Sequence, residues 1–279
     1  MTPAKRDELE YLRVALGELD ALLAPEGTGY WDLATPGSAL AIDDEVLQPL
    51  RTSHMIGHCL AMAEDQLRAL STLLTDHTGQ HQFSFPMAAH NANVRSALES
   101  SSLAIWLLSP DDRGERLMRS LRSRQYELAH EKTLYLTLTE SDLEDDPAAR
   151  KANAKQRQRL MKSLQGQKLL VSQAAQRADL ELGDLSPFPG FREVVGEASV
   201  AIGFRRSQGS GLWQAVSGLA HPSALRQINI ADREIVHEEG DNLRVLFRAS
   251  TTSVLAGVLA VLSHFKGALA FTKLRGSAS

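Results

Sequence analysis

Near its C-terminus the chain runs SVLAGVLAVLSHFKGALAF from Ser253 to Phe271, an almost unbroken apolar stretch that has to be withdrawn from water. Its length raises the question of a membrane span. However, His264 and Lys266 fall inside it and polar residues flank it, and ionisable groups at bilayer depth are costly. The expectation is therefore a buried bundle helix, apolar around most of its circumference, with no membrane span. Such a helix needs amphipathic partners on several sides.

Those partners are readable from spacing. After Thr2 and Pro3, a good helix start, Leu9, Leu12, Leu16, Leu19 and Leu23 alternate three and four apart until Pro25 and Gly27. Residues 25–43 carry no helical period and read as a long loop, with Tyr30 and Trp31 tucked onto the bundle. Asp43 or Asp44 is placed to cap a helix running to about Asp76. Pro86 opens the next helix, and SPDD at Ser109–Asp112 ends it, with Ser109 expected to cap the following helix and Pro110 at its first position. Asp146 and Pro147 repeat that logic after the acidic ESDLEDD and open a long helix to about Asp179.

A second long loop, 180–191, precedes a short helix in FREVVGEASVAIGF. A helix over 210–220 should stop near His221, because Pro222 disfavours helical geometry in the residue before it. REIVH and LRVLF flanking EEGDN predict a β-hairpin over 230–248. With only 5% aromatic residues, and Ala, Leu, Ser and Arg abundant, the composition agrees. The predicted fold is all-α: one domain over residues 1–279, a bundle of about seven helices with a small hairpin insertion.

Charge and cysteine content exclude several classes. A net charge of −4 provides no global basic field for nucleic acid, so any such contact must be local. The single cysteine, Cys59, excludes an intrachain disulfide and a multi-cysteine zinc site, and fits a reducing compartment. MTPAKRDELEY lacks the apolar core of a secretion signal. The expectation is a cytoplasmic protein with no cofactor.

Four sets of polar residues are candidate sites. Asn91, Arg95, Glu99, Ser102 and Trp106 lie within about 60° on one helix face beside the apolar Val94, Leu98 and Ile105. That stripe reads either as a solvated strip with an Arg95–Glu99 pair or as the wall of a polar pocket sealed by Trp106 and closed by His221. His54 and His58, one turn apart, have the spacing of two metal ligands, with Asp65 two turns on; surface histidines are the plainer reading. Asp111, Asp112 and Glu115 have the look of the magnesium motif of class I terpene synthases, but they already serve as helix-start residues, and the second motif of that class does not appear. Between Arg150 and Lys168 there are seven basic residues and no acidic one, and Lys151, Lys155, Arg159 and Lys162 share a face. That face is suited to RNA or an acidic protein partner, or simply to solvent.

NVRSALESSSLAIWLLSP at Asn93–Pro110, the Arg-rich helix after it and WQAVSGLAHP at Trp213–Pro222 together resemble a family of bacterial all-helical proteins over residues 43 to 275. The resemblance directs attention to Arg95, Glu99, Trp106, Trp213, Ser217 and His221, and implies no chemistry. A more distant similarity is to the HEPN helical superfamily, which includes ribonucleases and nucleotide-binding proteins of toxin and phage-defence systems. That likeness implies a nuclease site with an Arg followed by a His four to six residues later, met here by Arg124 and His130 in RQYELAH. Two function classes follow: a homodimeric helical binding or interaction protein, in a regulatory or defence setting, and an HEPN-like ribonuclease. A metal-dependent helical enzyme using His54 and His58 is the third.

Overall fold

The structure is a computed structural model, and it describes residues 3–23, 29–75, 83–140, 146–183, 187–239 and 242–278. The expected first-helix stop at Pro25–Gly27, most of the acidic linker and the hairpin tip at 240–241 lie outside those residues. The fold is all-α with one small hairpin: ten helices among the described residues, rather than about seven, and two antiparallel strands. In order they are α1 (Pro3–Leu22), α2 (Ala39–Leu47), α3 (Thr52–Leu74), α4 (Ala89–Leu108), α5 (Arg113–Leu138), α6 (Pro147–Arg177), α7 (Phe191–Ala201), α8 (Arg206–Leu219), α9 (Ala224–Ile230), β1 (Asp232–Glu239), β2 (Asn242–Arg248) and α10 (Thr251–Gly276). The extra helices are chiefly the short α2 and α9, whose nine and seven residues are too few to establish a period.

The chain's contacts divide into two compact units. The first comprises residues 1–33, 55–109 and 190–274. Its core takes Leu12, Leu16 and Leu19 from α1, Ile56, Leu60 and Leu67 from α3, and Leu98 and Ile105 from α4. α10 adds Val258, Val261 and Phe265, so this long apolar helix, which by length and composition alone could cross a membrane, buries a face in protein. Close approach of α7 and α8 rests on two glycines. A Cβ on Gly209 would lie 2.0 Å from the Ser199 hydroxyl, and one on Gly196 would lie 2.5 Å from that of Ser210. β1 and β2 pair from Asp232↔Arg248 to Glu239↔Asn242, with a bulge between Ile235 and His237.

The second unit comprises residues 34–54, 110–189 and 275–279, with α2, α5 and α6 packed around Leu47, Leu117, Leu121, Val171 and Ala174. Helix ends in this unit correct two expectations. α2 begins inside the stretch read as loop, and its cap is Ser38, whose Oγ accepts from the Ala41 amide. Asp43 and Asp44 therefore lie within α2, although Asp44 Oδ1 does accept from the Ser53 amide at the start of α3. In SPDD the cap of α5 is Asp112, which accepts from the Glu115 amide, whereas Ser109 is helical and donates its amide to Ile105 as the end of α4. The stop is where it was expected; the capping residue is three positions later. Asp146 caps α6 with Pro147 behind it, as the sequence indicated.

Candidate functional site

α4, α7 and α8 pack against one another in the first unit, and the α4 stripe lies in that packing. Arg95 and Glu99, 31% and 17% exposed, do not point into bulk solvent. Arg95 Nε donates to Glu99 Oε1 at 2.9 Å, and the same oxygen accepts from Trp213 Nε1 of α8 at 2.7 Å. The guanidinium lies 5.8 Å from the Trp213 ring centroid, within cation–π range, and its Nη1 donates towards His221 Nε2 at 3.4 Å. Trp106, two turns further along the stripe, is buried and donates from Nε1 to Glu197 of α7 at 2.8 Å. Glu197 also faces Arg206 at 3.7 Å.

The stripe is thus matched by two crossed indole–carboxylate hydrogen bonds, one from α8 to α4 and one from α4 to α7. Trp213, rather than Trp106, closes over Arg95 and Glu99. Arg95, Glu99 and His221 come together as expected, but their polar groups are spent on one another and on Trp213. Asn91 is buried at the edge of a small recess of about 20 Å³, with Met87, His90 and Leu219. The Ser102 hydroxyl, also on the stripe, is buried and has no hydrogen-bond partner among the described residues.

A roomier cleft, of about 310 Å³, opens where α7, α8 and α10 meet. Phe204, Leu212, Ala256 and Leu259 line it with apolar side chains, the buried Ser199 and His264 supply a polar patch, and Gln208 and Ser263 add polar groups to its lining. Their proton arrangement follows from the partners. His264 Nδ1 is 2.8 Å from the Ala260 carbonyl, which can only accept, so Nδ1 carries the proton and Nε2 is left to accept. Ser199 Oγ has a single proton for two acceptors, the Val195 carbonyl at 2.8 Å, to which it donates, and that Nε2 at 3.0 Å, and it keeps lone pairs of its own. Burial holds the His264 imidazole below its ordinary range, outweighing the carbonyl contact. His90 is lowered for the same reason, against its hydrogen bond to the Pro86 carbonyl.

In the sequence His264 stands out only as an interruption of an apolar run, and nothing marks Ser199. A histidine among residues that are otherwise buried needs a partner, and that signal was available; the partner's identity, 65 positions away, was not.

The remaining candidates are placed apart from this cleft. His54 and His58 are exposed on α3, and no group of three or more potential metal ligands occurs among the described residues. Asp111 accepts from Arg275 at 2.6 Å, and that hydrogen bond draws its carboxyl below the usual range. Asp112 is a cap and Glu115 accepts from Arg119, so each carboxylate of DDRGE is engaged. Arg124 donates to Glu127, while His130 is exposed with its ring edge-on to Tyr126 at 4.3 Å. Ser217 is half-buried within α8. Tyr30 does tuck inward, its hydroxyl 2.5 Å from Glu64, and burial raises its pKa; Trp31 is 82% exposed and does not tuck. The seven basic side chains from Arg150 to Lys168 are exposed on α6.

No family model, curated protein or solved structure matches this chain.

Proposed function

We propose that this is a ligand-binding helical protein whose site is the cleft of α7, α8 and α10. The observation that carries the reading is the buried Ser199–His264 pair in a mostly apolar cleft. Binding sites combine apolar walls with a few fixed polar groups, and the cleft volume falls at the small end of their usual range. The ligand is a compact, mostly apolar molecule with one hydrogen-bond donor, received by the lone pairs of the Ser199–His264 pair. The Arg95–Glu99–Trp213 cluster is read as a clasp that fixes α8 against α4 and so holds one wall of the cleft.

N-phenyl-1-naphthylamine, an apolar fluorophore with a single N–H, is the test probe. Saturable fluorescence enhancement by the folded protein is expected, and Ala256→Trp, an exposed position on the wall, should remove it while circular dichroism stays unchanged. Absence of saturable binding, or binding indifferent to Ala256→Trp, rejects the cleft as the site.

A further inference from the structure

α6 differs from the other charged helices of this chain in what it leaves unpaired. On α5 the arginines are engaged: Arg113 and Arg116 by Asp43, Arg119 by Glu115, Arg122 by Met118 and Arg124 by Glu127. α6 carries Arg150, Lys151, Lys155, Arg157, Arg159, Lys162 and Lys168 with no acidic residue anywhere along Pro147–Arg177, and among the described residues none of the seven makes an ion pair. Placing like charges four apart, as at Lys151, Lys155 and Arg159, works against the helix. Among the described residues, folding gives no reason for this pattern.

Their placement is ordered. Leu164, Val171, Ala174 and Ala175 define the buried side of α6. At about 100° per residue, Lys151, Lys155, Arg159 and Lys162 fall within about 80° of one another, centred opposite that side. Along the axis they are separated by steps of about 4.5–6 Å, a straight row of roughly 16 Å. The same face offers Ala148, Ala152, Gln158, Ser163 and Gln165 beside the cations, and no aromatic ring.

We infer that this face of α6 docks on double-stranded DNA through its phosphates. A regular row of cations on a rigid rod complements a regular row of anions, and binding of this kind carries no sequence preference. Single strands are gripped by stacking on aromatic side chains, which the face lacks. Duplex RNA fits a rigid helix less well, since the B-form major groove admits an α-helix whereas the deep, narrow A-form groove does not. The inference is independent of the cleft, since it uses no residue of the first unit.

The experiment titrates the full-length protein against a fluorescent 20-base-pair DNA duplex by anisotropy, from 50 to 200 mM NaCl. Four phosphate contacts predict a log–log salt slope of about −3.6 and an affinity loss of about 150-fold over that range. Lys151→Gln/Lys155→Gln/Arg159→Gln/Lys162→Gln should abolish binding at 50 mM salt with helicity unchanged, glutamine being a good helix former. Arg150→Gln/Arg157→Gln/Lys168→Gln, turned about 140–160° from the row, should keep most of it. No binding by the unaltered protein, equal losses in both variants, or equally tight binding of duplex RNA or of poly-L-glutamate would overturn the proposal.

Discussion

Replacing Glu99 by alanine separates a structural clasp from a ligand site, because the two make opposite predictions about stability. Glu99 is 17% exposed and a single oxygen, Oε1, accepts from both Arg95 and Trp213. Loss of a hydrogen bond to a charged acceptor costs about 1.5–3 kcal/mol. The Arg95 component is discounted to a few tenths, as for any partly exposed pair one helical turn apart. The expected destabilisation is about 2 kcal/mol, most of it from the stranded Trp213 N–H, and corresponds to a Tm about 4–8 °C lower for a protein of this size class. Trp213→Phe removes the donor and keeps most of the ring. In a double-mutant cycle by urea denaturation, Glu99→Ala and Trp213→Phe should couple by about 1 kcal/mol or more. Additive effects, or a Glu99→Ala protein as stable as the parent, would refute the clasp and return Glu99 to the role of ligand contact.

Further predictions concern other buried polar groups. Asp43→Ala strands Arg116, which is 5% exposed and bound to both Asp43 oxygens at 2.7 and 3.2 Å, and should cost about 3–5 kcal/mol in chemical denaturation; a cost below 1 kcal/mol would rule out the pair as a buried anchor. Gly209→Ala should destabilise the protein, since the new methyl meets Ser199, and an unchanged urea midpoint would contradict the close approach of α7 and α8. His90 and His264 are held neutral by burial, so below the ordinary pKa of about 6.5 the unfolded chain binds protons that the native state refuses. Stability is accordingly present in full above pH 6.5 and declines as pH falls, by up to about 1.4 kcal/mol per unit per histidine. Urea midpoints that stay level between pH 7.5 and 5.5 would count against this, and His264→Asn should flatten the decline.

Local signals in this chain were legible and non-local ones were not. The stop at SPDD, the Asp146–Pro147 start and the hairpin depend on neighbouring residues, and all three are found. Ser109 and Asp112 were confused because either side chain can cap; which one does depends on where the backbone leaves the helical region. The polar stripe on α4 was visible by its period, but a period cannot say that Trp106 would meet Glu197, 91 positions on, or that Trp213 would reach Glu99 across 114. Such pairs are products of helix packing, and the cleft beside them arises the same way. The basic face of α6 is the converse case: a run without acids is written in the sequence, while the lack of ion-pair partners among the described residues takes a structure to see.

The first unit is assembled from three separated stretches of chain, and this has a consequence in time. α4 meets α10 directly: a Cβ on Gly257 would lie 3.3 Å from Val94, and one on Gly267 would lie 3.2 Å from Ile105. Between the end of α4 and the start of α10 come roughly 140 residues, which a ribosome adds in about 7–30 s. Through that interval the part of α4 that meets α10, at Val94 and Ile105, has been made but lacks its α10 cover, although α7 and α8 arrive earlier. Truncation before α10 therefore leaves those α4 side chains without the helix that covers them.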